Sequence, residues 1–214
     1  YKIATWPTGL VTHIVSRAAA PTYAKLQTDR ARLTKAFELS LFAILTFAFP
    51  LGLAIFASAK DFVLLLFGAK WLPSVLLLRL LIFYSIFRTL LDDTGALYTA
   101  VGKPSYVSKV LVLEALMVIL LATPLTYFYH AVGAAIAVGI AFFVGIAYDY
   151  YLIRQVVDLK LKATFWPYFF AAVLCVVVYF FFLQVVNLAT LWILYRLLIK
   201  AGIVVFLFYL FLYL

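Results

Sequence analysis

The sequence predicts an all-α polytopic transmembrane helix bundle of about seven helices, and three observations carry that prediction. Of 214 residues, 68% are hydrophobic and only 12% charged, where globular chains run at roughly 45–50% and about 25%. The apolar residues fall into blocks near the roughly 20 residues that a helix needs to cross a bilayer. Lysines and arginines alternate between the connections joining those blocks. A soluble fold of this length could not hide so much apolar surface, so lipid must act as solvent.

Taken in order, the first helix covers about 2–20 and holds Pro7, Gly9 and His13. The second covers about 36–58, with Pro50 and Gly52 expected to bend it. The stretch 60–71, KDFVLLLFGAKW, is too short to span and reads as a half-turn or interfacial helix with Trp71 at headgroup level. The third helix begins after Pro73 and runs to about Ala100. The fourth covers about 106–129, and a short turn at His130 leads into the fifth, about 131–153. The sixth occupies about 164–186 and the seventh lies within 189–214. Arg196 and Lys200, four apart on one face, suggest an interfacial start to that last helix over 189–200. The whole of 1–214 reads as one membrane domain. Tyr1 in place of methionine, and an end at Leu214 inside an apolar run, suggest a piece of something longer.

The formal charge of +9 points to topology rather than to nucleic acid. Arg17, Lys25, Arg30, Arg32, Lys35, Lys103, Lys109, Arg154, Lys160 and Lys162 fall in or beside alternate connections; the opposite ones hold Lys60 and Lys70. Ten against two is the signature of positive-inside sorting, and it places loops 17–35, 102–109 and 154–162 in the cytoplasm. In the fifth helix, Gly133 with Ala137, Ala135 with Gly139 and Ala141 with Gly145 repeat small residues every four positions, which lets helices approach closely in lipid. Cys175 is the single cysteine and is expected to pack as a small apolar residue.

Enzyme signatures are missing: there is no Gly-rich phosphate loop, no histidine pair at metal-ligand spacing and no cysteine cluster, so no catalytic residue, metal or cofactor is expected. Ionisable residues within helices are the informative feature, because a charge at mid-bilayer costs about 2.5–3.5 kcal/mol on insertion scales. The third helix is richest. Arg88 and Asp92 are four apart and can pair along one face; Asp93 is one step around; Arg79, nine residues before Arg88, is expected on a related but not identical face. Two readings stay open: the pair locks helices together, or the arginines face a cavity for an anionic headgroup, with carboxylates as counter-ions or proton carriers. Glu114 is a deeper candidate of the second kind, whereas Asp149, among Tyr148, Tyr150 and Tyr151, reads as interfacial.

The stretch AAAPTYAKLQTDRARLTKAFELSLFAILTFAFPLGL resembles the P-x-x-x-x-L-Q-x-D helix end and basic link of polysaccharide flippases. LLLFGAKWLPSVLLLRLLIFYSIFRTL resembles their lfG-x-x-W turn and following helix, and LYTAVGKP the A-x-G close of that helix. AVGAAIAVGIA resembles their G-x-x-G-A-A-I-A helix start, with His130 in place of the first glycine. The likeness covers most of 15–155 and is to the Wzx-like lipopolysaccharide and O-antigen exporters of the multidrug/oligosaccharidyl-lipid/polysaccharide exporter superfamily. The resemblance implies two helix bundles around an alternating-access cavity, of which this chain would be the C-terminal one, with an N-terminal bundle or partner subunit still required. It also implies an undecaprenyl-pyrophosphate-linked oligosaccharide as the cargo, moved within the inner membrane. Arg79 and Arg88 would then attract the pyrophosphate, with Asp92, Asp93 and Glu114 as counter-ion or coupling residues. An accessory subunit of a larger membrane complex, or a multidrug exporter of the same superfamily, are the alternatives.

Overall fold

The computed structural model describes the backbone of residues 2–185 and 192–213, and their side chains except at 2–8, 10, 86–87, 89–92, 161–165 and 180–185. The order of elements is α1 (Lys2–Leu26), α2 (Arg30–Phe67), a 3-10 turn (Ala69–Ser74), α3 (Val75–Asp92), α4 (Thr94–Ala100), α5 (Ser105–Ile153), α6 (Leu161–Val185) and α7 (Ile193–Tyr213). The fold is all-α, as predicted. Among the described residues α2, α5 and α7 are long and apolar enough to cross a membrane, and the chain is a multi-pass membrane protein.

Local chemistry sets the boundaries. Asp29, the last residue of the L-Q-x-D stretch, caps α2 by accepting a hydrogen bond from the Arg32 backbone N–H at 3.0 Å. At 38 residues α2 is about 57 Å long, nearly twice the roughly 30 Å hydrocarbon core, and Pro50 lies inside it without ending it. The stretch 60–71 is therefore not a separate interfacial helix. Lys60–Phe67 continue α2, because nothing before Gly68, at φ 82, stops the helix. Trp71 then sits exposed in the 3-10 turn. The predicted third helix is divided at Asp93 into α3 and α4. α4 closes on Gly102 (φ 73), with Lys103 N–H donating to Tyr98 O and Gly102 N–H to Thr99 O, a paired C-terminal lock that favours glycine.

The 49 residues of α5 are two helices joined at His130, whose φ of 51 and ψ of −133 are not helical. Gly133 lies against the Leu125 carbonyl and Gly145 against the Glu114 side chain, so the arms 105–129 and 131–153 run antiparallel. The predicted turn falls where it was expected. The small-residue face does what its spacing implies: Gly139 receives the ring of Tyr84 from α3, and a Cβ at Gly133, Gly139 or Gly145 would collide with its neighbour. His130 occupies a backbone region that suits glycine, the residue standing at this place in the resembling pattern. His130→Gly is expected to raise stability by about 1–2 kcal/mol, read as a higher unfolding temperature in detergent.

Two apolar cores divide the bundle. One joins α2, α3, α6 and α7 through Leu45, Phe49, Ile82, Tyr168, Cys175 and Phe208. Cys175 is fully buried there, with its thiol 3.3 Å from the Val204 carbonyl. The other joins α1, α2, α4, α5 and the link before α6 through Tyr23, Phe37, Leu97, Tyr98, Leu152 and Val157. That link is tied to the start of α2: Arg30 pairs with Asp158 at 2.7 Å and donates to the Arg154 carbonyl. Large apolar side chains such as Ile119, Leu120 and Phe206 point outward, as lipid-facing residues do. The predicted ends of the sixth and seventh helices, in 186–191, lie outside the described residues.

Candidate functional site

Among the described residues three buried polar clusters interrupt the apolar packing, and each holds residues that the sequence singled out. The first surrounds Asp93, at the break between α3 and α4. Its carboxyl is fully buried. Ser16 of α1 donates to Oδ1 at 2.6 Å, Ser40 of α2 donates to Oδ2 at 2.7 Å, and the Tyr23 hydroxyl lies 3.0 Å from Oδ2 while also touching Ser40 Oγ. Asp93 is thus a tie between α1, α2 and the α3–α4 junction. The side chain of Asp92 lies outside the described residues, and with it the expected Arg88–Asp92 pair.

The second cluster lies between α3, α4 and the two arms of α5. Arg88 sits 4.7 Å from the centroid of the Phe142 ring and lines a cavity of about 230 Å³ together with Thr94, Glu114 and Asp149. Glu114 is buried, as expected of the deeper carboxylate, and rests on the flat face left by Gly145. Asp149 is a correction. It is not interfacial but 1% exposed, because α4 folds over it: the Tyr98 hydroxyl donates to its Oδ1 at 2.8 Å. The other oxygen, Oδ2, has no hydrogen-bond partner among the described residues. The cluster offers a guanidinium and two carboxyls around a space large enough for water or part of a headgroup.

The third cluster lies towards the opposite end, between α2, α3, α6 and α7. Asp61 of α2 is almost fully buried and pairs with Arg196 (Nε to Oδ1, 2.6 Å) and with Lys200 (Nζ to Oδ2, 2.6 Å) of α7. Arg196 and Lys200 therefore do not mark an interfacial start to the last helix. They turn inward, one helical turn apart, to share one carboxylate. Arg79 faces this side too, its guanidinium 5.6 Å from the centroid of the Phe56 ring, and lines a cavity of about 270 Å³ with Tyr179.

Arg79 and Arg88 consequently point to different places. Nine residues amount to about two and a half helical turns, so the two lie on opposite faces of α3 and about 14 Å apart along its axis. The expectation of related faces is corrected on both geometry and arithmetic. No single pyrophosphate can bridge that separation.

Residues 1–76 match the profile of a family described as "Polysaccharide biosynthesis protein". A membrane protein of the cps region of Klebsiella pneumoniae is 35% identical over 103 residues, which is 48% of this chain and 21% of that protein. The teichuronic acid biosynthesis protein TuaB of Bacillus subtilis is 29% identical over 103 residues, 48% of this chain and 21% of its own length. The lipopolysaccharide biosynthesis protein WzxC of Escherichia coli is 30% identical over 100 residues, 47% of this chain and 20% of its own. The resemblance to polysaccharide exporters holds. Among solved structures, the lipid II flippase MurJ in its inward closed conformation matches 96% of this chain and 43% of its own, with a TM-score of 0.74 and 19% identity, so the two share a fold. The chain matches only about a fifth of the length of these relatives.

Proposed function

We propose that residues 1–214 form the C-terminal bundle of a flippase that moves an undecaprenyl-pyrophosphate-linked oligosaccharide from the inner to the outer leaflet of the plasma membrane. The basic loops 17–35, 102–109 and 154–162 face the cytoplasm, and a preceding N-terminal bundle completes the cavity. Carriage proceeds by rocking of one bundle against the other around a site near mid-bilayer. The observation that carries this reading is Arg88. It stands near the middle of the α3–α4 segment, beside a polar cavity, in a chain whose relatives serve polysaccharide biosynthesis.

A guanidinium at that depth suits a pyrophosphate, because its planar fork gives two charge-assisted hydrogen bonds to neighbouring oxygens. Glu114 and Asp149 line the same cavity as Arg88 and supply its counter-charge when no substrate is bound, and Glu114 is the residue through which an ion gradient would act. Asp93 is committed to its three hydroxyls and serves position rather than coupling.

In the full-length protein, Arg88→Gln is expected to lower surface glycan export by at least about tenfold, the loss of one charge-assisted bidentate contact, with Arg88→Lys retaining part of it. Export measured by complementation of a deletion strain checks this. Unchanged export in the Arg79→Gln/Arg88→Gln double variant would rule out the pyrophosphate role.

A further inference from the structure

The charges around Asp61 do not balance. Arg79, Arg196 and Lys200 all lie in the region between α2, α3, α6 and α7, and among the described residues the acid paired there is Asp61. Both of its oxygens are taken, one by each cation of α7. Arg79 is left over. Its Nε is buried and has no hydrogen-bond partner among the described residues. The Tyr179 hydroxyl is in the same position: the residue is 8% exposed, the oxygen has no partner, and it lies within the fields of both Asp61 and Arg79. Arg79 and Tyr179 line one cavity of about 270 Å³.

Buried donors are normally satisfied, and two such groups on residues lining one cavity, beside surplus positive charge, describe a place for an anion. The geometry points to a phosphate-binding site formed by Arg79 and Tyr179 that takes the phosphate of a membrane lipid. A lipid suits the surroundings better than a free ion. An apolar cavity of about 330 Å³ adjoins this one, sharing Leu53, Phe56 and Val176 with it, and its remaining wall is built of Phe49, Phe83 and side chains of α6. A headgroup at Arg79 would leave its chain against that wall.

The site is separate from the Arg88 cavity, on the other face and at the other end of α3. With the basic loops in the cytoplasm, Arg79 falls on the outer-leaflet side. The inference rests on the membrane placement given under the proposed function but not on transport.

The test uses the full-length protein in detergent, with native mass spectrometry of bound undecaprenyl phosphate, phosphatidylglycerol and inorganic pyrophosphate, each added separately. Arg79→Gln is expected to weaken binding of at least one of the two lipids by about tenfold, and Tyr179→Phe by about threefold. The thermal midpoint should not move, because neither side chain holds Asp61. The lipid whose binding falls names the source of the phosphate. Equal lipid binding in wild type and both variants would overturn the site, as would inorganic pyrophosphate binding as tightly as either lipid. Export measured on the same variants separates the two readings. Lost lipid binding with export intact detaches this site from transport and leaves it standing. Loss of export at Arg88 alone, with lipid binding unchanged in the Arg79 variant, removes this site and leaves the flippase.

Discussion

Replacing Asp61 by alanine is expected to destabilise the bundle by about 3–5 kcal/mol, the range for stripping one partner from a buried ion pair. The side chain of Asp61 is 2% exposed, and those of its partners, Arg196 and Lys200, are 18% and 15% exposed. Removing the carboxylate leaves two largely desolvated cations one turn apart on α7, repelling each other with no acid to share. A lone exposed pair would contribute well under 1 kcal/mol, so the size of the effect separates a buried triad from a surface one. The measurement is the unfolding midpoint of the full-length protein in detergent. A second variant makes the cause legible. Methionine at both 196 and 200 in the Asp61→Ala background removes the unpaired charges and is expected to recover most of the loss, since apolar replacements of buried ionic triads are often neutral or better. A loss that persists in that triple variant would show that packing, not charge, is what Asp61 supplies.

The same triad shows what local sequence can and cannot reveal. Arg196 and Lys200 were visible as two cations on one helical face, but their partner lies more than 130 residues away in a stretch that reads as a separate short helix. Only the continuation of α2 past Ala59 brings Asp61 to them. By contrast, the hairpin at His130 was readable, because apolar blocks on either side were each long enough to span and the small residues of 133–145 marked the face that packs. The break at Asp93 was not. Nothing in LLDDTGALY forbids a continuous helix, and Asp93 itself keeps helical φ and ψ (−78 and −25), so the interruption is slight. Asp149 failed for another reason: its neighbours in sequence are tyrosines suited to an interface, and the group that buries it, Tyr98, arrives from another helix. The opposite faces of Arg79 and Arg88, however, follow from helical phase alone.

Asp93→Ala is the other substitution expected to have a large effect, about 3–5 kcal/mol, because it leaves several buried hydroxyls without an acceptor at once. The proton count shows why. Ser16, Tyr23 and Ser40 bring one hydroxyl proton each, and the two oxygens of Asp93 are the acceptors around which all three gather. Ser40 Oγ also lies 3.0 Å from the Phe37 carbonyl, so it has one alternative acceptor within its own helix; Ser16 and Tyr23 depend more on the carboxyl. Asp93→Asn is expected to lose less, about 1–3 kcal/mol, since the amide keeps one oxygen but must turn its NH2 towards donors. Removing both sides of the interaction provides the control. With Ser16→Ala, Tyr23→Phe and Ser40→Ala already in place, Asp93→Ala should cost far less than it does alone, a coupling of roughly 2–3 kcal/mol in the cycle. Additive losses would mean that the four residues do not act as one tie. The tie matters beyond stability because α3 ends at it. Arg88 stands five residues before Asp93, so a knot that fastens this point to α1 and α2 also fixes where Arg88 meets the cavity between α3 and α5. On the proposed function, variants that loosen it without unfolding the bundle are therefore expected to lower glycan export while leaving lipid binding at Arg79, at the far end of the same helix, unchanged.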